Sequence, residues 1–122
     1  MTLGDLQISF RDGVLVARLT GEIDMSNARD LRAAIAESTP SESLGVVLDL
    51  TDVDYIDSAG IHLLHRLGES LRARGQALRV VIPPGSPTSD ALRLAGIKRH
   101  VDVVAEVDEG CRALAGGAAT EP

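Results

Sequence analysis

The residues most able to do chemistry lie in one short stretch, Asp57-Ser58-Ala59-Gly60, between an apolar run and a segment of helical periodicity. A helix is expected to begin there, with the Ser58 hydroxyl or the Asp57 carboxylate capping a free backbone N–H. The same exposed hydroxyl is a candidate phosphorylation site, because a phosphate would add about two negative charges beside Asp57. From these four residues alone, both interpretations stay open.

Enzymatic interpretations of the same stretch are weak. Ser58 and His62 are four residues apart and would share a helix face. The nucleophile elbow of hydrolases, however, needs glycines two residues on either side of the serine, and Ile56 occupies one of those positions. His62, His65 and Glu69 have a spacing that suits a metal, yet histidines on a charged helix are usually solvated. No phosphate-binding loop motif occurs. We therefore predict no catalytic residue, no metal and no cofactor.

The composition indicates one domain without affinity for polyanions. The chain has 122 residues, 44% of them hydrophobic, and a net charge of −6, which argues against nonspecific binding to nucleic acid or to an anionic membrane. A single cysteine, Cys111, excludes an internal disulfide and suits a reducing compartment. Neither a signal peptide nor an apolar run of about 18 residues is present, so a cytoplasmic protein is expected. We predict a domain over residues 3–115 and a disordered tail over residues 116–122.

Apolar periodicity divides the chain into alternating strands and helices. Strands are predicted over residues 6–10, 14–19, 46–50, 78–82 and 101–107, and helices over residues 28–36, 58–74, 86–96 and 108–115. This order predicts an α/β fold with a mostly parallel five-stranded sheet and about four helices. The first strand is expected to be antiparallel, because Asp12-Gly13 is a hairpin turn. Ala91, Leu94 and Ala95 are expected to form the inner face of the third helix.

Two acidic loops rich in hydroxyl groups are expected after strand ends. One covers Gly21 to Asn27, in which Asp24 or Ser26 would cap the first helix, and the other is a turn from Asp52 to Gly60. Functional loops of open α/β sheets collect at the carboxyl ends of the strands, so both loops are expected on one surface. Asp49, within a strand, is expected to be a structural hydrogen-bonding residue.

Three sequence blocks carry a resemblance to a known family. They run from Leu19 to Asp24, from Val47 to Leu50 and from Tyr55 to Ile61, with Gly-Glu-Ile-Asp in the first and Asp-Ser-Ala-Gly in the last. With these blocks and this order of elements, the chain resembles the STAS domain of bacterial anti-sigma factor antagonists from Leu6 to about Leu114. The resemblance implies a single STAS-like domain that acts as a non-enzymatic binding module.

Position by position, the resemblance implies a phosphorylation switch. The family's regulatory serine corresponds to Ser58, and the Asp of its Gly-Glu-Leu-Asp block corresponds to Asp24. In such proteins the unphosphorylated form binds an anti-sigma factor that is also a serine kinase with a histidine-kinase-like ATPase fold. Phosphorylation releases it, and a PP2C-type phosphatase reverses the modification. The family's second Ser or Thr is Ala59 here. The expected partner-binding residues are Asp24, Ser26, Asp57, Ser58, Ala59, Gly60, Ile61, His62 and His65.

A phosphate on Ser58 is expected to block an interface by its charge without changing the fold. The helix N-terminus would stabilise the phosphate in the free protein, and no Lys or Arg lies between Leu44 and Leu64 to neutralise it in a complex. The alternative function is that of a STAS scaffold or accessory subunit, in a stressosome-type assembly or beside a transporter, without a phosphorylation switch. Both functions are those of a binding module.

Overall fold

The computed structural model describes residues 2–3 and 6–120, with side chains described from residue 6 to residue 116. In chain order the elements are β1 (Thr2–Leu3), β2 (Leu6–Arg11), β3 (Val14–Ile23), α1 (Ala28–Ser38), β4 (Gly45–Ile56), α2 (Ser58–Ala73), β5 (Ala77–Val81), α3 (Ser89–Leu94), a 3₁₀ turn (Ile97–Arg99), β6 (Asp102–Val104) and α4 (Val107–Thr120). The five expected strands and the four expected helices are all present. The two-residue β1 adds a strand at the edge of the sheet.

The sheet is antiparallel at its N-terminal edge and parallel elsewhere. Its strands lie in the order β1-β2-β3-β4-β5-β6. β2 and β3 form a hairpin at Asp12 and Gly13, which have φ angles of 55° and 80°, as an Asp-Gly hairpin turn requires. β3, β4, β5 and β6 pair in parallel through helical crossovers. These features confirm the expected fold class.

Two apolar layers cover the two faces of the sheet. Along β4, Val46 and Leu48 belong to the larger layer and Val47 to the smaller one, because successive side chains of a strand point to opposite faces. α1 and α2 contribute to the larger layer, and α4 contributes Cys111 and Leu114 to the smaller one. A strand that is buried on both faces reads as a continuous apolar run, which is why β4 was recognisable in the sequence.

β3 and β4 extend beyond the rest of the sheet. β4 pairs with β5 only from Gly45 to Asp49, whereas its pairing with β3 continues until Ile56 lies opposite Ile23. The acidic turn expected after Leu50 is therefore wrong, because this segment is a strand. Two register shifts in the pairing with β3 interrupt the simple alternation by which a strand is recognised.

The third helix packs through residues other than those expected. Leu92 is the buried side chain of this helix. Ile97, in the 3₁₀ turn that follows, is also buried. Ala91, Leu94 and Ala95 are exposed, Leu94 to 83%. A helix of only six residues makes less than two turns, so one position is enough to anchor it and its other sides face solvent.

The C-terminal helix α4 runs to Thr120. The disorder expected for residues 116–122 falls mostly on residues outside the described side chains, and it stays a prediction. Over residues 2–3 and 6–120, no helix combines the length and the apolar character needed to cross a membrane.

Candidate functional site

The carboxylate of Asp57 caps the N-terminus of α2. Its Oδ1 atom accepts hydrogen bonds from the backbone N–H of Ala59 at 2.8 Å and of Gly60 at 3.2 Å. Ser58 is the first residue of the helix and lies outside the cap position. Its exposed hydroxyl makes no hydrogen bond with any residue that the structure describes. The capping role therefore belongs to Asp57, and the hydroxyl of Ser58 is available to solvent.

Gly60 allows α2 to approach the ends of both central strands. A Cβ atom at this position would lie 2.4 Å from Cγ1 of Ile56 and 3.0 Å from Cγ2 of Ile23. Only glycine permits so close an approach without a shift of the helix. Gly60 is buried, so it acts on the surface above it by setting the position of α2.

The turn after β3 brings a second carboxylate to the same edge of the sheet. Ile23 and Ile56 are register partners, and the N–H of Asp57 donates to the Ile23 carbonyl at 3.2 Å. Asp24 and Asp57 therefore follow paired strand positions. Oδ1 of Asp24 accepts hydrogen bonds from the Ser26 hydroxyl at 2.5 Å and the Ser26 N–H at 2.9 Å. These two bonds, the hydroxyl first, lower the pKa of Asp24 against a small opposing effect of desolvation.

Neither Asp24 nor Ser26 caps α1 as expected. The N-cap position is Asn27, which makes no side-chain cap hydrogen bond. Its Nδ2 donates to the Glu22 carbonyl at 2.8 Å, and its Oδ1 accepts from the Asp24 N–H at 3.0 Å. The side chain of Asn27 thus bridges the Glu22 carbonyl and the Asp24 N–H, and these bonds hold the backbone at Asp24 in place.

An open depression lies over the first turns of α2. Its volume is about 520 Å³, and its lining consists of Met25, Asp57, Ser58, Ala59, Ile61, His62 and His65. The structure therefore brings together the expected partner-binding residues of α2 and its cap. Asp24 and Ser26 lie in the adjoining turn, and Gly60 lies buried beneath.

Met25 is a surface residue that the sequence interpretation missed. It is 84% exposed and lines both the depression and a neighbouring groove. The only sequence signal was one apolar residue within the polar run Asp24-Met25-Ser26-Asn27. Met25 therefore gives the depression beside Ser58 an exposed apolar side chain of a type that is enriched in the cores of protein interfaces.

The neighbouring groove lies between α1 and α2 and is basic. Its volume is about 330 Å³, and Arg29 and Arg32 of α1 and Arg66 of α2 line it. None of these arginines forms an ion pair with any residue in the described part of the chain. Nε of Arg66 donates to Nε2 of His62 at 3.1 Å. The sequence interpretation missed the groove because two of its cations come from another helix.

His65 packs against a second histidine on the far side of the depression. Its ring centroid lies 4.3 Å from that of His100, with 52° between the planes. Its Nε2 is buried and has no partner among the described residues. Burial lowers the pKa of His65, His100 and His62 lower it further, and Glu69 opposes them. Within the described chain, no three His, Cys, Asp or Glu side chains are arranged to hold a metal ion.

The turn that carries Asp24 and the start of α2 form this surface. Both lie within a segment of the chain that matches the sequence model of one protein family. The sequence model of the STAS domain matches residues 5–110. The chain belongs to the STAS domain family. This confirms the expected family, and the match spans β2 to β6 of the STAS fold.

Two proteins similar to this STAS protein over most of its length are named anti-sigma factor antagonists. The anti-sigma-F factor antagonist RsfB of Mycobacterium tuberculosis is 27% identical over 111 residues, which cover 90% of this chain and 88% of RsfB. The crystal structure of an anti-sigma factor antagonist from Mycobacterium paratuberculosis has a TM-score of 0.79 and 26% identity, over 93% of this chain and 98% of that one.

A further protein of similar fold has been solved in two forms. The anti-sigma factor antagonist SpoIIAA of Bacillus has a TM-score of 0.67 in its unphosphorylated form, with 20% identity over 92% of this chain and 98% of that one. Its phosphorylated form has a TM-score of 0.62, with 21% identity over 88% of this chain and 98% of that one. At this identity the likeness concerns the fold alone.

Proposed function

We propose that this STAS protein is an anti-sigma factor antagonist whose binding is switched off by phosphorylation of Ser58. The observation that carries the switch is the exposed, unbonded hydroxyl of Ser58 in the lining of the depression over α2. The unmodified form binds an anti-sigma factor that is a serine kinase of histidine-kinase-like ATPase fold, and this frees a sigma factor for transcription. A PP2C-type phosphatase removes the phosphate, and all these proteins act in the cytoplasm.

The charge around Ser58 explains why a phosphate would disrupt an interface. The Asp57 carboxylate already occupies the N–H groups of Ala59 and Gly60, so these donors are not free to bind a phosphate. The modification would place about two further negative charges beside Asp57 and near the turn that carries Asp24. Burying such uncompensated charge under a partner is costly.

In the free protein the same phosphate leaves the fold intact. Ser58 is exposed, so its phosphate remains in water and pays no desolvation cost. The helix dipole favours negative charge at this position by a few tenths to about 1 kcal/mol. The switch therefore acts on binding and leaves the capping hydrogen bonds of Asp57 in place.

The surface also restricts what the partner presents. Its acidic edge carries Asp24 and Asp57, the apolar Met25 and the half-buried Ile61 lie on the same surface, and the arginine groove adjoins it through Met25. A complementary partner places a cation opposite the acidic edge and carboxylates opposite the arginines. Because this surface carries opposite charges at different places, a complementary partner can bind in one orientation only, and the attraction raises the on-rate.

Ala59 does not interfere with this switch. Its side chain is half-buried and lines the depression, so it adds apolar area where the family signature has a second hydroxyl. The Ser58 hydroxyl makes no hydrogen bond that a neighbouring hydroxyl would have to support. Kinase access to Ser58 depends on its own exposure.

A capture experiment tests the proposal. Wild type, Ser58→Asp, Ser58→Ala and Ser41→Asp are immobilised in turn and incubated with the source cytoplasm, and the bound proteins are identified by mass spectrometry. Ser41 is exposed in the loop before β4, so Ser41→Asp adds the same charge at the opposite edge of the sheet. We expect one ATPase-fold kinase on every bait except Ser58→Asp. The purified kinase should transfer phosphate from ATP to wild type and not to Ser58→Ala.

A different set of results would contradict the switch. The same partners on all four baits, with no phosphate on Ser58 in the native protein by intact-mass analysis, would contradict the switch. Assembly of the isolated protein into large particles, or copurification with a transporter, would then favour the scaffold or accessory function.

A further inference from the structure

A second concentration of charge lies at the other end of α2. A pocket of about 410 Å³ is formed by the last turns of α2, the start of β5 and the segment from the 3₁₀ turn to β6. Its basic lining residues are Arg72, Arg79, Lys98, Arg99 and His100. The one carboxylate in its lining, Asp102, pairs with Arg79 at 3.1 Å. The proposed antagonist function does not use this pocket.

Three of the cations in this pocket are not neutralised. Arg72, Lys98 and Arg99 are exposed and form no ion pair with any residue that the structure describes. Like charges in one pocket repel one another, so their assembly is unfavourable unless an anion binds among them. A chain with a net charge of −6 would not be expected to concentrate cations by composition alone.

The floor of the pocket is fixed by hydrogen bonds. Gln76 is only 7% exposed, and its Nε2 donates to the carbonyls of Pro40 at 2.8 Å and Ser43 at 3.0 Å. The guanidinium of Arg79 is held by Asp102. These parts of the lining are therefore held by contacts within the chain, and the unpaired cations line the pocket as exposed side chains.

We propose that this pocket binds a small molecule that carries a phosphate or diphosphate group. Guanidinium groups offer paired N–H donors that match two phosphate oxygens, and a lysine adds a point charge. Three free cations match a multiply charged phosphate better than a single carboxylate. The volume falls within the range of small-molecule sites.

The free cations of this pocket lie far from Ser58, although the contact between His65 and His100 joins the pocket to the depression over α2. Ser58 and Arg72 lie at opposite ends of α2, about 21 Å apart along the helix axis at 1.5 Å per residue. That distance exceeds the screening length of about 8 Å at physiological ionic strength. Binding at the pocket therefore does not depend on the charge state of Ser58, and the proposal stands or falls independently of the phosphorylation switch.

A titration followed by backbone amide NMR tests the site. Wild type, the triple variant R72A/K98A/R99A and the control R29A/R32A/R66A are titrated with inorganic pyrophosphate and with inorganic phosphate. The two triple variants lose the same charge, and the control loses it from the α1–α2 groove. We expect pyrophosphate to bind wild type more tightly than phosphate, with the largest shifts at residues 72–79 and 98–102 and with affinity that falls as NaCl is raised.

The comparison between variants decides the outcome. We expect R72A/K98A/R99A to lose about tenfold or more in pyrophosphate affinity and the control to bind as wild type does. Equal losses in both variants, shifts that map to the α1–α2 groove, or no shifts at millimolar pyrophosphate would each overturn the proposal. The three substituted side chains are exposed, and K98A together with the wild-type shift map gives the same decision if the triple variant does not fold.

Discussion

The backbone N–H of Asp57 donates a hydrogen bond to the carbonyl of Ile23 at 3.2 Å, and this bond joins the ends of the two central strands. Ile23 and Ile56 are register partners, and the start of α2 packs on both through Gly60. These backbone contacts place the Asp24 turn and the start of α2 side by side at one edge of the sheet, although the two motifs are far apart in sequence. The position of Ser58 follows from these contacts and does not depend on its own side chain.

Substitution of Gly60 by alanine should destabilise the protein, because the new Cβ would lie 2.4 Å from Ile56 Cγ1. Overpacking of this kind lowers the free energy of unfolding by about 1–3 kcal/mol, measured by urea denaturation. Gly116→Ala is the control, since Gly116 lies in α4 and a Cβ there meets nothing within 4 Å. The control should be neutral or slightly stabilising. Equal stability of both variants would show that α2 shifts freely away from the strands.

Substitution of Asp57 should remove the helix cap and lower the stability of the protein, whereas substitution of Ser58 should not. Asp57→Ala removes the acceptor of the Ala59 and Gly60 N–H groups, so the free energy of unfolding should fall by about 0.5–2 kcal/mol. Asp57→Asn keeps a side-chain oxygen and should recover most of that loss. Ser58→Ala should unfold at the same urea concentration as wild type. A destabilised Ser58→Ala with an unaffected Asp57→Ala would reassign the cap.

Met25 should contribute to partner binding without contributing to stability. Removing its exposed side chain by Met25→Ala should weaken binding of the captured kinase about fivefold or more, as expected for an apolar side chain at the centre of an interface. Calorimetry with the purified kinase measures the change. Leu94→Ala is a matched control, because Leu94 is 83% exposed and Met25 is 84% exposed. If both variants bind as wild type does, the depression over α2 is not the interface.

Acidification should destabilise the protein through His65. Its pKa is lowered by burial and by His100 and His62, against the effect of Glu69. Between that lowered value and the ordinary value of about 6.5, the unfolded chain binds more protons than the folded protein. Stability conferred by the neutral imidazole is therefore complete above about pH 6.5 and is lost as the pH falls toward the lowered pKa.

Urea denaturation of His65→Gln across this pH range measures the effect. The variant should show a weaker loss of stability than wild type as the pH falls from about 7 to about 5. His62→Gln should keep most of the wild-type dependence, because it leaves His65 buried against His100. Identical pH profiles for wild type and His65→Gln would mean that other groups control the acid response.

Local patterns in the sequence were enough to predict the fold class and several of its elements. The apolar run from Val46 to Leu50 predicted a strand buried on both faces, and Asp12-Gly13 predicted the hairpin; both are confirmed. Asp49 was expected to be structural, and its Oδ1 accepts hydrogen bonds from the Thr51 hydroxyl at 2.5 Å and N–H at 3.0 Å. Signals of this kind involve residues close in sequence, so periodicity and turn chemistry reveal them.

Only the tertiary structure decided which distant residues share a surface. The strand pairing that carries β4 on to Ile56 draws its hydrogen bonds from β3, and no pattern within β4 encodes that partner. Met25 lines the Ser58 depression, and Arg29 lines the groove beside Arg66, because separate elements pack together there. The pocket around Arg72 likewise combines residues of α2, β5, the 3₁₀ turn and β6. Such proximity depends on the order and register of strands and on helix packing, which one sequence read along its length does not contain.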